Sequence, residues 1–278
     1  MFTTLVSPAQ LAAHIADPQW IVFDCRFDLA DTGAGRRDYL QSHIPGARYA
    51  HLDDDLAGPK TGANGRHPLP DPDKFAEKMA GLGLKQGMQA VAYDAAGGYY
   101  AARLWWMLRW VGHAGGAVLD GGWKAWLDAK LPVTAQLPVI TAGDFRGAPR
   151  AITVEADFVL GRIGQAGDLV VDARSPDRFR GENETLDPVG GHIPGASNRF
   201  FKDNLAADGR FKPPAELRTE FEALLGATMP QHVVHQCGSG VTACHNLLGM
   251  EIAGLTGSKL YPGSWSEWCS DPRRPVAR

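Results

Sequence analysis

The sequence predicts an α/β protein built from two copies of one domain, each a parallel sheet flanked by helices. Two observations predict it. First, short segments recur in the same order along the chain. Val22-Phe23-Asp24-Cys25-Arg26 is echoed by Val170-Val171-Asp172-Ala173-Arg174, and His43-Ile44-Pro45-Gly46-Ala47 returns letter for letter as His192-Ile193-Pro194-Gly195-Ala196. Val91-Ala92-Tyr93 matches Val233-Val234-His235, and Gly121-Gly122-Trp123 matches Gly263-Ser264-Trp265. A period of domain length marks a duplication, not a solenoid. Second, short apolar runs alternate with helical patterns. That alternation is the grammar of βα units, whose parallel strands are buried on both faces.

Each element has its own signal. Ser7-Pro8 opens a helix over 9–15, with serine as N-cap and proline at the first turn. Trp20 to Asp24 is an apolar run ending in polar residues, a buried strand. Asp71-Pro72 opens a helix reaching Leu82, with Gly83 at its end. A strand over 90–93 is followed by an apolar helix over 100–111 that stops at Gly112, then by a strand over 117–119. The second copy reads alike: a strand over 168–172, a helix over 214–225, a strand over 233–236, a helix over 242–253 and a strand over 259–261. The Pro-containing stretch 131–150 lacks periodicity, which places a linker at 139–150 between domains 1–138 and 151–278. Trp105, Trp106 and Trp110 recur at helical spacing and read as packing residues.

Composition narrows the function classes. A hydrophobic fraction of 44% and a charged fraction of 21% exclude disorder as the main state. Lys+Arg 28 against Asp+Glu 31 leaves a net charge of −3, so no basic excess points to nucleic acid or a membrane surface. No apolar run approaches the roughly 20 residues that span a bilayer. The first ten residues lack a basic stretch followed by an apolar core, so no secretory signal is expected. Cys25, Cys237, Cys244 and Cys269 are few and widely spaced. They form no C-x-x-C pair, which argues against structural zinc and for reduced thiols in the cytoplasm. Nothing in the sequence calls for a metal or an organic cofactor.

The informative segment is His235-Gln236-Cys237-Gly238-Ser239-Gly240-Val241-Thr242-Ala243. A strand ends at Gln236 and a helix starts near Val241 or Thr242. Glycines let successive backbone N–H groups turn toward one point, and the helix adds its positive end. Such a loop favours an anion, and the Cys237 thiol is the group in it that can become one. A free cysteine is only about 3% ionised at pH 7, and raising that to about three-quarters requires roughly 2.7 kcal/mol of differential stabilisation. Converging amides and a helix end can supply that much. The first copy places Asp94-Ala95-Ala96-Gly97-Gly98 at the equivalent site, so Ala95 is expected where the second copy has its cysteine.

These residues resemble the tandem-domain sulfurtransferases of the rhodanese superfamily. The resemblance spans nearly the whole chain and rests on the two HIPGA segments, the Asp-x-Arg strand ends, the CGSGVTA loop and the GSWSEW segment. It implies two rhodanese-like domains, the first without an active cysteine. It implies that Cys237 accepts a sulfane sulfur from a small-molecule donor, becomes a persulfide, and passes the sulfur to cyanide or a thiol. A thioredoxin-like reductant is a further expected partner. Gly238, Gly240, Val241 and Thr242 would line the bound sulfur.

Within the family, thiosulfate-using members carry cations just after the cysteine, whereas mercaptopyruvate-using members carry a CG(S/T)GVTA loop. The neutral Gly238-Ser239-Gly240 therefore favours mercaptopyruvate, with thiosulfate as the alternative donor. The resemblance further implies that Asp55, His67 and Ser239 act together on the leaving group, and that Arg178 binds the substrate carboxylate. Arg174 reads as a structural ion-pair residue. A second family arginine falls at Asp187 here, and Arg180 is the candidate to replace it. Two further readings remain. A cysteine phosphatase would close its loop with an arginine where Ala243 stands. A non-enzymatic sulfur-relay or binding module would explain the substituted arginine.

Overall fold

The computed structural model describes residues 1–278, and the chain divides into two compact units. The first comprises 1–58, 69–151 and 207–210; the second comprises 59–68, 152–206 and 211–278. The boundary differs from the simple division at 138–151, because ten residues from the N-terminal half, Pro59–Pro68, join the second unit. The stretch 139–150, expected as a linker, forms no helix or strand yet belongs to the first unit. Gly143 N–H donates to Ala80 O at 2.7 Å, Ala148 N–H to Val111 O at 2.8 Å and Arg150 N–H to Trp110 O at 2.8 Å, while Phe145 is buried. These bonds satisfy helix-end carbonyls, so the segment is a strap and not a free connector.

In the first unit the order is β1 (Leu5–Val6), α1 (Pro8–Ala13), β2 (Trp20–Asp24), α2 (Ala34–Gln41), β3 (Arg48–Tyr49), α3 (Leu52–Asp55), α4 (Pro72–Gly81), β4 (Gln89–Tyr93), α5 (Tyr99–Trp110), β5 (Gly116–Leu119) and α6 (Gly122–Asp128). The strands form one parallel sheet in the order β1-β5-β4-β2-β3. Local chemistry explains the ends. Ser7 and Gln10 form a reciprocal capping box at α1, and the Asp71 carboxylate accepts the Asp73 and Lys74 amides at α4. Gly83 and Gly112 take positive φ just after α4 and α5, where left-handed backbone closes a helix. Strand β4 is buried throughout, as a central parallel strand must be. Trp105, Trp106 and Trp110 are buried in the first unit, and the Trp105 indole donates to Thr3 O at 2.8 Å.

The second unit repeats the plan: α7 (Ala156–Leu160), β6 (Leu169–Asp172), α8 (Pro176–Phe179), β7 (Ser197–Asn198), α9 (Pro214–Leu225), β8 (Val233–Gln236), α10 (Ala243–Ile252), β9 (Lys259–Leu260) and α11 (Ser264–Trp268). Its parallel sheet runs β7-β6-β8-β9.

The repeated motifs prove to be structural devices. Each HIPGA segment is a turn in which proline precedes a glycine with positive φ, +78° at Gly46 and +79° at Gly195. Each Asp-x-Arg strand end is a buried ion pair, Asp24–Arg26 and Asp172–Arg174, both at 2.6 Å. A tryptophan covers each guanidinium, Trp123 at 4.6 Å and Trp265 at 4.7 Å. Arg174 is thus a structural residue, and each recurring Gly-x-Trp segment places a tryptophan over one of these pairs.

Candidate active site

Strand β8 delivers Cys237 to the carboxyl end of its sheet, and α10 begins six residues later. The connecting loop is held from behind. Cys237 O accepts the Trp265 N–H and Gly238 O accepts the Ser266 N–H, each at 2.9 Å. No peptide bond is cis, and in a trans peptide the N–H points opposite to the C=O. Tying these two carbonyls back therefore turns the Gly238 and Ser239 amides toward the opposite side of the loop. Gly240 has φ +76°, and a Cβ there would lie 2.4 Å from Pro262 O, so the turn requires glycine. Val241 O and Thr242 O accept the Cys244 and His245 amides at 3.1 Å as α10 begins. Cys237 itself is 2% exposed.

The Cys237 N–H donates to Ser264 Oγ at 3.1 Å, and the Ser264 hydroxyl donates to Tyr261 O at 3.0 Å. Ser264 adopts φ +54°, one of two non-glycine residues in the left-handed region. A serine held there against its preference, with its hydroxyl on the backbone of Cys237, is backbone strain spent at the loop. Sequence reasoning did not single out Ser264; the repeat in which it replaces Gly122 was the available signal.

His67 Nδ1 lies 2.7 Å from Ser239 Oγ, although 172 residues separate them. Both are buried. Within the second unit, the segment 59–68 that carries His67 is fastened at the preceding residue: Arg66 N–H donates to Ser266 Oγ at 3.0 Å, and the Arg66 guanidinium pairs with Asp187. Gly65 permits this approach, since a Cβ on it would meet Gly263 O at 2.7 Å. Asp55 belongs to the first unit. There its carboxylate accepts the His51 N–H at 2.7 Å, at the start of α3, and pairs with Lys78 at 2.9 Å. The first contact caps α3, and the second is an ion pair to α4.

Arg178, on α8, is braced by Glu184, whose carboxylate accepts from Arg178 Nε at 3.1 Å and from Nη2 at 2.8 Å. The bidentate fork fixes the plane of the guanidinium. Burial raises the Glu184 carboxyl, but the Leu186 amide and Arg178 together outweigh it and hold it below its usual range. Arg180 does not take the vacant arginine place. It lies in the open, paired with Glu182 at 2.8 Å, both side chains more than half exposed. The cation that stands beside the loop instead is Arg66. A Cβ on Gly238 would lie 2.7 Å from Arg66 Nη2 and 3.6 Å from Arg178 Nη2. The loop residues are neutral, yet two guanidinium groups crowd its backbone.

The strand register corrects the expectation for Ala95. Asp24 faces Tyr93 in the first sheet, and Asp172 faces Gln236 in the second. The Cys25 N–H donates to Tyr93 O as the Ala173 N–H does to Gln236 O. The next residues, Asp94 and Cys237, are therefore the equivalent pair, and the Trp123 N–H to Asp94 O bond repeats that of Trp265 to Cys237. The letter match between 91–93 and 233–235 is one residue out of register. The Asp94 carboxylate accepts four backbone amides: Ala96 at 2.7 Å and Gly98 at 2.8 Å from the loop, and Tyr100 and Ala101 at 2.9 Å from the first turn of α5. The first copy thus fills its own amide ring with a side-chain anion.

The other cysteines are packed. Burial, then Asp24, pushes the Cys25 thiol well above its usual range, and burial pushes Cys269 up to about 11. Cys244 donates its S–H to Gly240 O at 3.4 Å. No cluster of three or more His, Cys, Asp or Glu side chains offers a metal site.

The rhodanese-like domain model matches residues 7–129 and 155–271. The chain is 49% identical over 276 residues to "Probable 3-mercaptopyruvate sulfurtransferase" of Pseudomonas aeruginosa, covering 98% of this chain and 97% of that protein. It is 33% identical to the thiosulfate sulfurtransferase of Bos taurus, covering 96% and 92%. The solved structure of 3-mercaptopyruvate sulfurtransferase from Leishmania major superposes with a TM-score of 0.85 at 29% identity, covering 99% of this chain and 76% of that one. With two domain matches and full-length relatives of this kind, the chain belongs to the rhodanese family.

Proposed function

We propose that this protein moves a sulfane sulfur from 3-mercaptopyruvate, through a persulfide on Cys237, to a thiol or to cyanide. The observation that carries the reading is the His67–Ser239 contact at 2.7 Å beside the Cys237 loop. The Cys237 thiolate attacks the donor sulfur, the sulfur–carbon bond breaks, and its electrons leave on the pyruvate enolate. Ser239, backed by His67, is the proton donor for that leaving group. The amides of Gly238 and Ser239, with Gly240, Val241 and Thr242 completing the loop, stabilise the outer sulfur of the persulfide as an anion. Cyanide or a thiol then attacks that sulfur, the S–S bond breaks, and the Cys237 thiolate is restored. A thioredoxin-like dithiol is a suitable acceptor. Four free cysteines fit a reducing, cytoplasmic setting; no helix is long and apolar enough to cross a membrane.

Thiosulfate is the second reading, favoured by one specific observation. Arg66 and Arg178 bring two guanidinium groups to a loop whose own residues are neutral, and a dianion with a sulfite leaving group calls for such donors. Intact-mass analysis after donor treatment is expected to show one added sulfur on the wild type and none on Cys237→Ala. The ratio of kcat/KM for mercaptopyruvate to that for thiosulfate, on one preparation, is expected to exceed one. An inverted ratio assigns the site to thiosulfate, and no adduct with either donor removes the persulfide step.

A further inference from the structure

We propose that Arg66 joins Arg178 beside the Cys237 loop as the second arm of a carboxylate clamp, and that Asp187 is the positioning residue that holds Arg66 there. The proposal deepens the reading of Cys237 as the sulfur-accepting nucleophile and rests on it for the natural donor.

Three observations converge. Both guanidinium groups reach the same point, with nitrogens of each within 4 Å of the position a Gly238 Cβ would take. A side chain there would collide with Arg66, so the glycine leaves room for the cation against the loop. Second, the counter-charges stand behind the arginines. Glu184 and Asp187 side chains are each 3% exposed, whereas Arg66 is 28% and Arg178 20% exposed. The acids are sealed in and the arginines remain open to a ligand. Third, Asp187 joins the two: one oxygen accepts from Arg66 Nη1, and the other lies 3.5 Å from Arg178 Nη2. That second oxygen is buried and makes no hydrogen bond, so charge, not a closed network, fixes its place.

Each guanidinium has five donors in a planar fork. Arg66 spends Nη1 on Asp187 and turns Nη2 toward Gly238; Arg178 spends Nε and Nη2 on Glu184 and keeps Nη1 near the same glycine. Two such edges meeting at one point suit a carboxylate, which accepts through both oxygens. The ligand class is therefore a small molecule with a carboxylate a few atoms from its electrophilic centre. Pairing with an acid does not remove this capacity, because the acid occupies one edge of each fork and leaves another.

The test compares two alkylating agents of equal size. Iodoacetate carries a carboxylate and iodoacetamide a neutral amide. Both react when the Cys237 sulfur bonds to the methylene carbon and iodide leaves, so their rate ratio cancels any change in the nucleophile. Measured at Cys237 by peptide mass spectrometry, the wild-type ratio is expected to exceed that of a free thiol by about tenfold or more, as charge-assisted hydrogen bonds allow. Arg66→Gln is expected to lower the ratio about tenfold, and Asp187→Asn to lower it less, while the iodoacetamide rate of each stays within about threefold. The KM for mercaptopyruvate should rise in step, with kcat little changed. A ratio that stays at the wild-type value in both variants, or a wild-type ratio no higher than that of a free thiol, overturns the clamp. A wild type that shows the predicted ratios but no turnover of mercaptopyruvate defeats the choice of donor and leaves the clamp standing.

Discussion

The two copies of the βα loop present the same backbone problem and meet it with different side chains. In the second unit the loop after β8 carries Cys237, with its Gly238 and Ser239 amides turned away from the anchored carbonyls. In the first unit the loop after β4 carries Asp94 at the equivalent place, and its carboxylate takes four amides at 2.7–2.9 Å. The comparison teaches that this loop is an anion receptor by construction. Where the anion is a side chain, the receptor is closed and structural. Where the residue is a cysteine, the proposed reading leaves the receptor for the outer sulfur of the persulfide. Closure has a cost: burial pushes the Asp94 carboxyl up by more than its four amides pull it down.

The largest expected effects come from deleting the two equivalent residues. Asp94→Ala leaves four amides facing a void, and the first unit is expected to lose about 3–5 kcal/mol by chemical denaturation. Cys237→Ala is expected to abolish turnover while changing the stability of the second unit by about 1 kcal/mol or less. Equal destabilisation by both variants would break the distinction between a closed and an open receptor.

A graft sharpens the register. Asp94→Cys places a thiol inside the amide ring of the first unit, whereas Ala95→Cys places one beside a ring already filled. At pH 7, iodoacetamide is expected to label the new thiol of Asp94→Cys faster than that of Ala95→Cys by about tenfold, the ionised thiolate being the reactive form. Faster labelling of Ala95→Cys would show that the amide ring does not activate the thiol of Asp94→Cys enough to offset its burial.

Acid pH should act on the second unit through a buried histidine that has no counterpart at the equivalent strand position of the first. His235 lies on β8 opposite Val171, and Ala92 lies on β4 opposite Phe23. Burial lowers the His235 value to about 3, against about 6.5 for an unfolded histidine. Between those values the unfolded chain binds a proton that the folded one does not, so stability rises with pH there. This contribution is fully present above pH 6.5 and is lost as pH falls toward about 3. The second unit is expected to lose a few kcal/mol over that range, and His235→Leu to flatten the dependence. An unchanged acid profile in His235→Leu would show that other groups govern it.

The smallest effect concerns Ser264, which holds φ +54° where the first unit has Gly122 at +56°. Ser264→Gly relieves left-handed strain of about 1 kcal/mol and removes an acceptor of similar worth. Its melting temperature should change little, while kcat falls about threefold as the Cys237 amide loses its partner. A change in melting temperature without a change in kcat would make Ser264 purely structural.

Much of this architecture was legible because its signals are local. The strand over 233–236 and the helix over 214–225 occur at their expected bounds, since an apolar run and a proline-initiated amphipathic pattern each carry their own period. Cys237, Gly238 and Gly240 were readable because a strand-to-helix turn with two glycines has few conformations. His67 was carried by resemblance, and the structure brings it to Ser239. Arg66 carried no signal, because an arginine in a polar loop looks like a solvated charge until its partners are known. The Ala95 reading failed for a related reason: similar letters one step out of register matched as well as the true alignment, and only hydrogen bonds between neighbouring strands distinguish them.

By itself, then, the sequence determined the duplication, the alternation of strands and helices, the turns, and the single cysteine in a glycine-rich loop between a strand and a helix. These rest on backbone preferences and on hydrophobic periods that act over a few residues. Only the tertiary structure decided that Asp94 is the counterpart of Cys237, that residues 59–68 belong with the second unit, and that Arg66 stands beside Gly238 tethered to Asp187. Arg66 and Asp187 are 121 residues apart. Contacts of that kind form when separate elements pack, so no local spacing records them.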